Sequence, residues 1–226
     1  MTELITSGPF EGLKKHYYGV IEADPPWLWK SYSKKGESKS PSQHYSLMTI
    51  PDICEMGEYV MELAAPDCAL FLWSTWPTMP APWDVMKAWG FRYSGLAWEW
   101  MKYNPRTDKF AFGPGLGGTR KNLEPVLLGR RGSPKLLSKS ERDWIIDPVT
   151  GAELISDNDS ILLGQRRRHS EKPVEAKPRM ERLFDGPYIE LFSRTDREGW
   201  DSWGDEAGKF NPIRRKRLRP EAEALI

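Results

Sequence analysis

The sequence predicts an α/β protein with a mostly parallel sheet and helices on both faces. Three observations lead there. Short β-branched and aromatic runs alternate with amphipathic segments, the pattern that wraps helices around a parallel sheet. The first such run, Tyr17 to Ala23, is cut off by Asp24-Pro25-Pro26-Trp27, a ligand-like position beyond a strand's carboxyl end. A chain of 226 residues is long enough for one α/β domain with a real core and marginal for two.

The elements follow in order. Tyr17 to Ala23 is a strand, rich in aromatic and β-branched residues. Lys30 to Gln43 is polar and lysine-rich and reads as a loop. Pro51 to Leu63 is a helix with Pro51 in its first turn. Ala69 to Ser74 is a buried strand. Trp83 to Trp89 is a helix closed by Gly90, and Phe91 to Met101 is the next strand. Asn104 to Lys121 is a glycine-rich loop. Leu123 to Leu128 and Ser160 to Leu163 are strand-like, with an irregular insertion over about 131–157 between them. Pro173 to Phe184 is a helix with Met180, Leu183 and Phe184 on one face, ended by Asp185-Gly186. Tyr188 to Phe192 is a strong strand. The expected organisation is one domain over 1–210 and a basic tail over 211–226.

Composition excludes several classes. The net charge is +1, so any nucleic-acid contact rests on local patches. Two cysteines and three scattered histidines give neither a disulfide framework nor a zinc pattern, so no metal is expected. The start lacks the regions of a signal peptide. The most apolar stretch, Cys68 to Trp76, is too short to span a bilayer. A cytoplasmic, membrane-free protein is the expectation. The 11 tryptophans mostly fill a core. Gly113, Gly115 and Gly118 fit a G-x-G-x-x-G pattern, but no strand precedes it and no helix follows, so it is not a phosphate cradle.

The tetrapeptide carries the chemistry. As a bland feature it is a Pro-Pro turn leaving a strand, with Trp27 folded into the core. As a site, Pro25 and Pro26 fix the backbone and remove two N–H donors, so carbonyls and the Asp24 carboxylate remain as acceptors for an amine. An aryl amine is a poor nucleophile because its lone pair spreads into the ring. Accepting its hydrogens at Asp24 and the Pro25 carbonyl would localise that pair, and Trp27 could stack on the base. Such catalysis is positioning and electrostatics.

With its Asp-Pro-Pro-Trp word the chain resembles the MT-A-type adenine-specific methyltransferases, a family that includes the catalytic subunit of the eukaryotic messenger-RNA adenine methyltransferase and many bacterial and phage members. The likeness continues through Gln43-His44-Tyr45 with Met48, Leu70-Phe71-Leu72-Trp73, Trp89-Gly90-Phe91, Ser170-Glu171-Lys172-Pro173, Glu181-Arg182-Leu183, Glu190-Leu191-Phe192-Ser193-Arg194 and Gly199-Trp200-Asp201-Ser202-Trp203-Gly204. It covers roughly Tyr17 to Glu206. It implies a Rossmann-like class I methyltransferase fold of bacterial or phage type, with the catalytic motif before the cofactor half. The segment before Asp24 is itself too short for a βαβ cofactor unit.

The resemblance implies S-adenosyl-L-methionine as cofactor. Lys172 would meet its carboxylate, Ser193 and Arg194 would border its ribose or adenosine, and Asp205 and Glu206 would lie near the ribose, with Asp24 between cofactor and amine. Asp205 departs from the family's usual Asn, since a carboxylate cannot donate an amide hydrogen. Tyr45 resembles an aromatic residue lining the base pocket, and Asn122 and Glu124 fall at a polar pair on the substrate side.

Lys30, with Lys34, Lys35 and Lys39, flanks the catalytic turn. Arg166, Arg167 and Arg168 precede Lys172, and a basic run from Arg214 to Arg219 follows. Runs beside the site suit phosphate contacts. The expected partner is nucleic acid, DNA ahead of RNA, with a homodimer or partner subunit left open. Methylation of a cytosine 4-amino group or a protein amide, and a non-catalytic nucleic-acid-binding subunit, remain as alternatives.

Overall fold

A computed structural model of the chain describes residues 2–28, 47–104, 109–110, 115–116, 119–120, 123–139, 161–165, 172–173 and 175–204. In chain order the elements are β1 (Tyr18–Ala23), α1 (Ile50–Glu55), α2 (Gly57–Leu63), β2 (Ala64–Trp73), α3 (Ala81–Ala88), β3 (Arg92–Asn104), β4 (Lys109–Phe110), β5 (Gly115–Leu116), β6 (Thr119–Arg120), β7 (Leu123–Arg131), β8 (Ile161–Gln165), α4 (Ala176–Leu183), β9 (Tyr188–Leu191) and β10 (Trp200–Trp203).

One sheet runs β10-β9-β1-β2-β7-β3-β4, with β8 also on β3. The strands β10, β9, β1 and β2 pair in parallel, as do β3 and β8. β7 is antiparallel to both of its neighbours, and β4 is antiparallel to β3. The sheet is therefore mostly parallel with a reversed strand inside it. β1 holds a central place because nearly all of its residues are buried, which requires cover on both faces.

Alternation along the strands builds two cores. Ile21, Ala23, Leu70, Leu72, Leu127, Ile189 and Leu191 face one way and pack with Ile53, Val60, Leu63, Val85 and Met86 of α1, α2 and α3. Val20, Ala69, Phe71, Trp73, Trp98, Trp100 and Val126 face the other way, under Ala176 and Met180 of α4. Of the described tryptophans, Trp27, Trp73, Trp89, Trp98, Trp100 and Trp200 are buried, as a core reading expects, whereas Trp76 is exposed. No helix among the described residues is long and apolar enough to cross a membrane.

The helix expected over Pro51 to Leu63 is two helices. Thr49 caps α1, with its hydroxyl accepting from the Asp52 N–H and Asp52 accepting from the Thr49 N–H. The break at Met56 brings Gly57 against the carbonyl of Ala88 at the end of α3, where a Cβ would collide with backbone. The glycine-rich segment is not a plain loop either: Gly115–Leu116 pairs with Thr119–Arg120 as a small antiparallel sheet. β10, formed by Trp200–Trp203, was not foreseen as a strand; its alternation is short and Gly199 and Gly204 bracket it.

Gly57→Ala is expected to cost about 1–3 kcal/mol, since the close approach of the start of α2 to the end of α3 must open to admit a methyl group. A lower urea midpoint with unchanged slope would register it; an unchanged midpoint would mean that the helices part freely.

Candidate active site at the strand tips

Asp24 leaves the sheet at the carboxyl end of β1, its N–H still within 3.5 Å of the Leu191 carbonyl on β9. The next three residues are tied down. The Trp27 N–H donates to the Pro25 carbonyl at 2.8 Å, a γ-turn, and the Met48 N–H donates to the Pro26 carbonyl at 2.8 Å. The Trp27 indole N–H donates to the Trp73 carbonyl at 2.9 Å. Two prolines without N–H groups and three hydrogen bonds leave this turn little freedom.

Lys172, just before α4, points its ammonium at this tip. Its Nζ lies 3.0 Å from Asp24 Oδ1 and 3.3 Å from Glu124 Oε2, at the start of β7. The same Nζ sits 4.5 Å from the centre of the Trp73 ring and 6.0 Å from that of Trp100. Burial by itself would lower the Lys172 ammonium; Asp24 and then Glu124 outweigh it and hold it above the ordinary lysine value. The side chains keep some access, 19% exposed for Lys172 and 21% for Asp24 and for Glu124.

One layer deeper is a second ionic cluster. Glu22 on β1 and Glu190 on β9 are register partners. Lys177 of α4 reaches between them, 3.2 Å from Glu22 Oε2 and 2.7 Å from Glu190 Oε2. The Trp73 indole N–H donates to Glu22 Oε1 at 2.8 Å, and the Ser193 hydroxyl lies 2.7 Å from Glu190 Oε2. Burial pushes Glu190 up to about 7, with Glu22 adding to the effect, while Lys177 and Ser193 pull the other way without cancelling it. Lys177 is held above its ordinary value, the two carboxylates overcoming its burial.

The MT-A70 family pattern matches residues 18–206, which takes in every element from β1 to β10. The chain belongs to the MT-A70 family. Among MT-A70-related proteins it is 30% identical over 213 residues to the type II methyltransferase M.MunI of Mycoplasma sp., covering 87% of this chain and 81% of that one. It is 29% identical over 200 residues to the human N(6)-adenine-specific methyltransferase METTL4, and 30% identical over 202 residues to the mouse METTL4. Those matches span 87% and 85% of this chain but only 39% and 38% of the METTL4 chains. The fold is the Rossmann-like methyltransferase fold of the MT-A70 family.

Of the residues singled out in the sequence, the MT-A70 fold brings Asp24, Lys172 and Glu124 together. Three expectations are corrected. Trp27 is only 5% exposed and packs into the first core, so it anchors the tetrapeptide and offers no open face to a base. The Pro25 carbonyl is not free of donors: the Trp27 N–H takes one of its two lone pairs, leaving one. Ser193 is fully buried, and its hydroxyl turns inward to Glu190 and the Thr195 carbonyl, so it is not an exposed contact. Arg194 follows it, partly exposed. Lys30, Tyr45, Asn122, Asp205 and Glu206 lie outside the described residues, as do Lys34, Lys35, Lys39, the Arg166–Arg168 run and the basic tail.

Sequence reading missed Trp73 as more than a strand residue, and gave Glu22, Lys177 and Glu190 no role. The available signal was a charged residue inside each of two otherwise apolar strands, Val20-Ile21-Glu22-Ala23 and Tyr188-Ile189-Glu190-Leu191.

Glu190 also sets a pH test. Its ordinary value is 4.5 and its folded value about 7. Between these the folded chain holds more proton than the unfolded one, so this group's stabilisation is lost as pH rises from about 4.5 to about 7. The Tm of the wild type minus that of Glu190→Gln is expected to fall across this window. A difference that stays level or climbs would contradict the placement of Glu190.

Proposed function

We infer that this chain transfers the methyl group of S-adenosylmethionine to the exocyclic 6-amino group of adenine in nucleic acid, DNA ahead of RNA. The observation that carries the reading is the Lys172 ammonium held 3.0 Å from Asp24 and 3.3 Å from Glu124 at the tip of β1. Membership of the MT-A70 family and the likeness to METTL4, named as N(6)-adenine-specific, support adenine as the base. The preference for DNA rests on build: the match takes in 81% of the type II methyltransferase M.MunI but only 39% of METTL4.

The residues suit the cofactor. S-adenosylmethionine carries a sulfonium, an ammonium and a carboxylate, a net charge of about +1 at neutral pH. Asp24, Glu124 and Lys172 together offer two carboxylates and one ammonium, the complementary balance. Lys172 would hold the cofactor carboxylate as a point charge, and the acidic pair would receive its ammonium. When bound, the cofactor would supply a methyl group on sulfur: an N–C bond would form as the S–C bond breaks, the sulfonium leaving as a neutral thioether and the amine's surplus proton passing by way of the Asp24 carboxylate to solvent.

The protein's own part is positional. Asp24 accepts one amine hydrogen, and the remaining lone pair of the Pro25 carbonyl accepts the other. Both acceptors are fixed, by Lys172 on one side and by the Trp27-to-Trp73 hydrogen bond on the other. An amine gripped this way has its lone pair localised and aimed, without a strong base. The target base must leave any stack to reach the tip.

Asp24→Ala tests the reading. Glu124 still pairs with Lys172 in that variant, so the fold should survive with little change in Tm. Methyl transfer from labelled S-adenosylmethionine to adenine-containing oligonucleotides is expected to fall by about 10²–10³-fold or more. Digestion of the wild-type product should yield 6-methyladenine. Undiminished transfer in the variant, or methyl found on cytosine or on protein, would overturn the proposal.

A further inference from the structure

The cluster below the tip has no part in gripping the amine. Glu22 and Glu190 sit side by side on neighbouring parallel strands, about 4.8 Å apart along the hydrogen-bonding direction. Both are buried, Glu22 at 2% exposed and Glu190 at 9%. Two carboxylates so placed repel, and Lys177 of α4 answers both. The other polar groups around them are the Trp73 N–H, the Ser193 hydroxyl and, beside Glu190 on β10, Ser202. The Lys177 ammonium is also 5.4 Å from the centre of the Trp200 ring, whose N–H is taken by Glu181. A buried ionic triad is a poor source of stability, because apolar residues of equal volume commonly do as well or better. Its directional bonds do what apolar residues cannot: they hold atoms at set distances.

Those bonds lead to both sides of the reaction. Asp24 is two residues beyond Glu22, just past the end of β1. Ser193 is three residues beyond Glu190 and bonded to it, directly after Phe192, which takes a left-handed backbone with φ 62°. A bulky residue with that backbone needs its surroundings to hold it. The Glu190-to-Ser193 bond and the Ser193 N–H to the Trp203 carbonyl, at 2.9 Å, do so. Lys177 thus reaches Asp24 through Glu22 and β1, and the Phe192 turn through Glu190.

We propose that Lys177 is a positioning residue: by joining Glu22 to Glu190 it fixes the spacing between the amine-gripping tip of β1 and the turn after β9 that borders Arg194. This rests on the methyltransferase reading above, with the amine at Asp24 and the cofactor reaching from the Lys172 tip toward Arg194 beyond β9. Misplacement of reacting groups by about 1 Å can cost about 10²-fold in rate, so loosening this tie acts on turnover more than on binding.

The test uses the full chain as wild type, Lys177→Arg, Lys177→Met and the apolar triple variant Glu22→Leu/Lys177→Met/Glu190→Leu. Melting temperature, kcat and KM for an adenine-containing DNA oligonucleotide are measured for each. The triple variant is expected to melt no lower than wild type while kcat drops at least about tenfold and KM stays within about threefold. Lys177→Arg, which keeps a cation, is expected to hold more of kcat than Lys177→Met. A folded triple variant with wild-type kcat overturns the proposal, as does equal kcat in Lys177→Arg and Lys177→Met. Loss of fold in both apolar variants assigns the cluster to stability and overturns it too. A wild type that transfers no methyl group would instead sink the methyltransferase reading.

Discussion

Trp73, the last residue of β2, holds the described site together. Its carbonyl accepts the Trp27 indole N–H, which pins the end of the tetrapeptide. Its own indole N–H donates to Glu22, the root of the buried ionic cluster. Its ring lies under the Lys172 ammonium, which in turn grips Asp24. One buried side chain thus connects the tetrapeptide turn, the ion pair at the tip and the cluster beneath. It can do so because it is fully buried between Trp98 and Trp100 on β3, in edge-to-face contact with both.

The sheet order explains why these groups meet. β1 lies between β9 and β2, so its tip is flanked by the strand that leads to Arg194 on one side and by Trp73 on the other. β7 runs antiparallel to β2, which puts its first residues, Glu124 among them, level with the tips of the parallel strands. A parallel β7 would have carried Glu124 to the far edge of the sheet. The reversed strand is therefore what completes the pair of carboxylates around Lys172.

Much of this was legible in the sequence, and the exceptions have physical reasons. β1, β2, α3, β3, β7, α4 and β9 were readable because buried strands concentrate β-branched and aromatic residues and because Gly90, with its left-handed backbone, ends its helix visibly. Asp24 and Lys172 stood out through motif and resemblance. The inward turn of the Ser193 hydroxyl was not legible, and local sequence left the burial of Trp27 as one of two readings, since the direction of a side chain at a strand end depends on neighbours distant in sequence. Glu22 and Glu190 hid for the same reason: a lone glutamate in a strand reads as an edge or a solvated face until the strand's partner and the covering helix are known. The split of the α1–α2 helix was set by the approach of α3, which no local pattern announces.

The most direct test is a crystal structure of the chain with a bisubstrate analogue, an adenosine whose 6-nitrogen is linked to a methionine-derived cofactor mimic. The 6-nitrogen, which keeps one hydrogen in such an analogue, should donate it to the Asp24 carboxylate or the Pro25 carbonyl and lie beside the other, with the mimic's carboxylate at the Lys172 ammonium. An analogue bound elsewhere, or bound with Asp24 turned away from the nitrogen and still locked to Lys172, would contradict the grip on the amine.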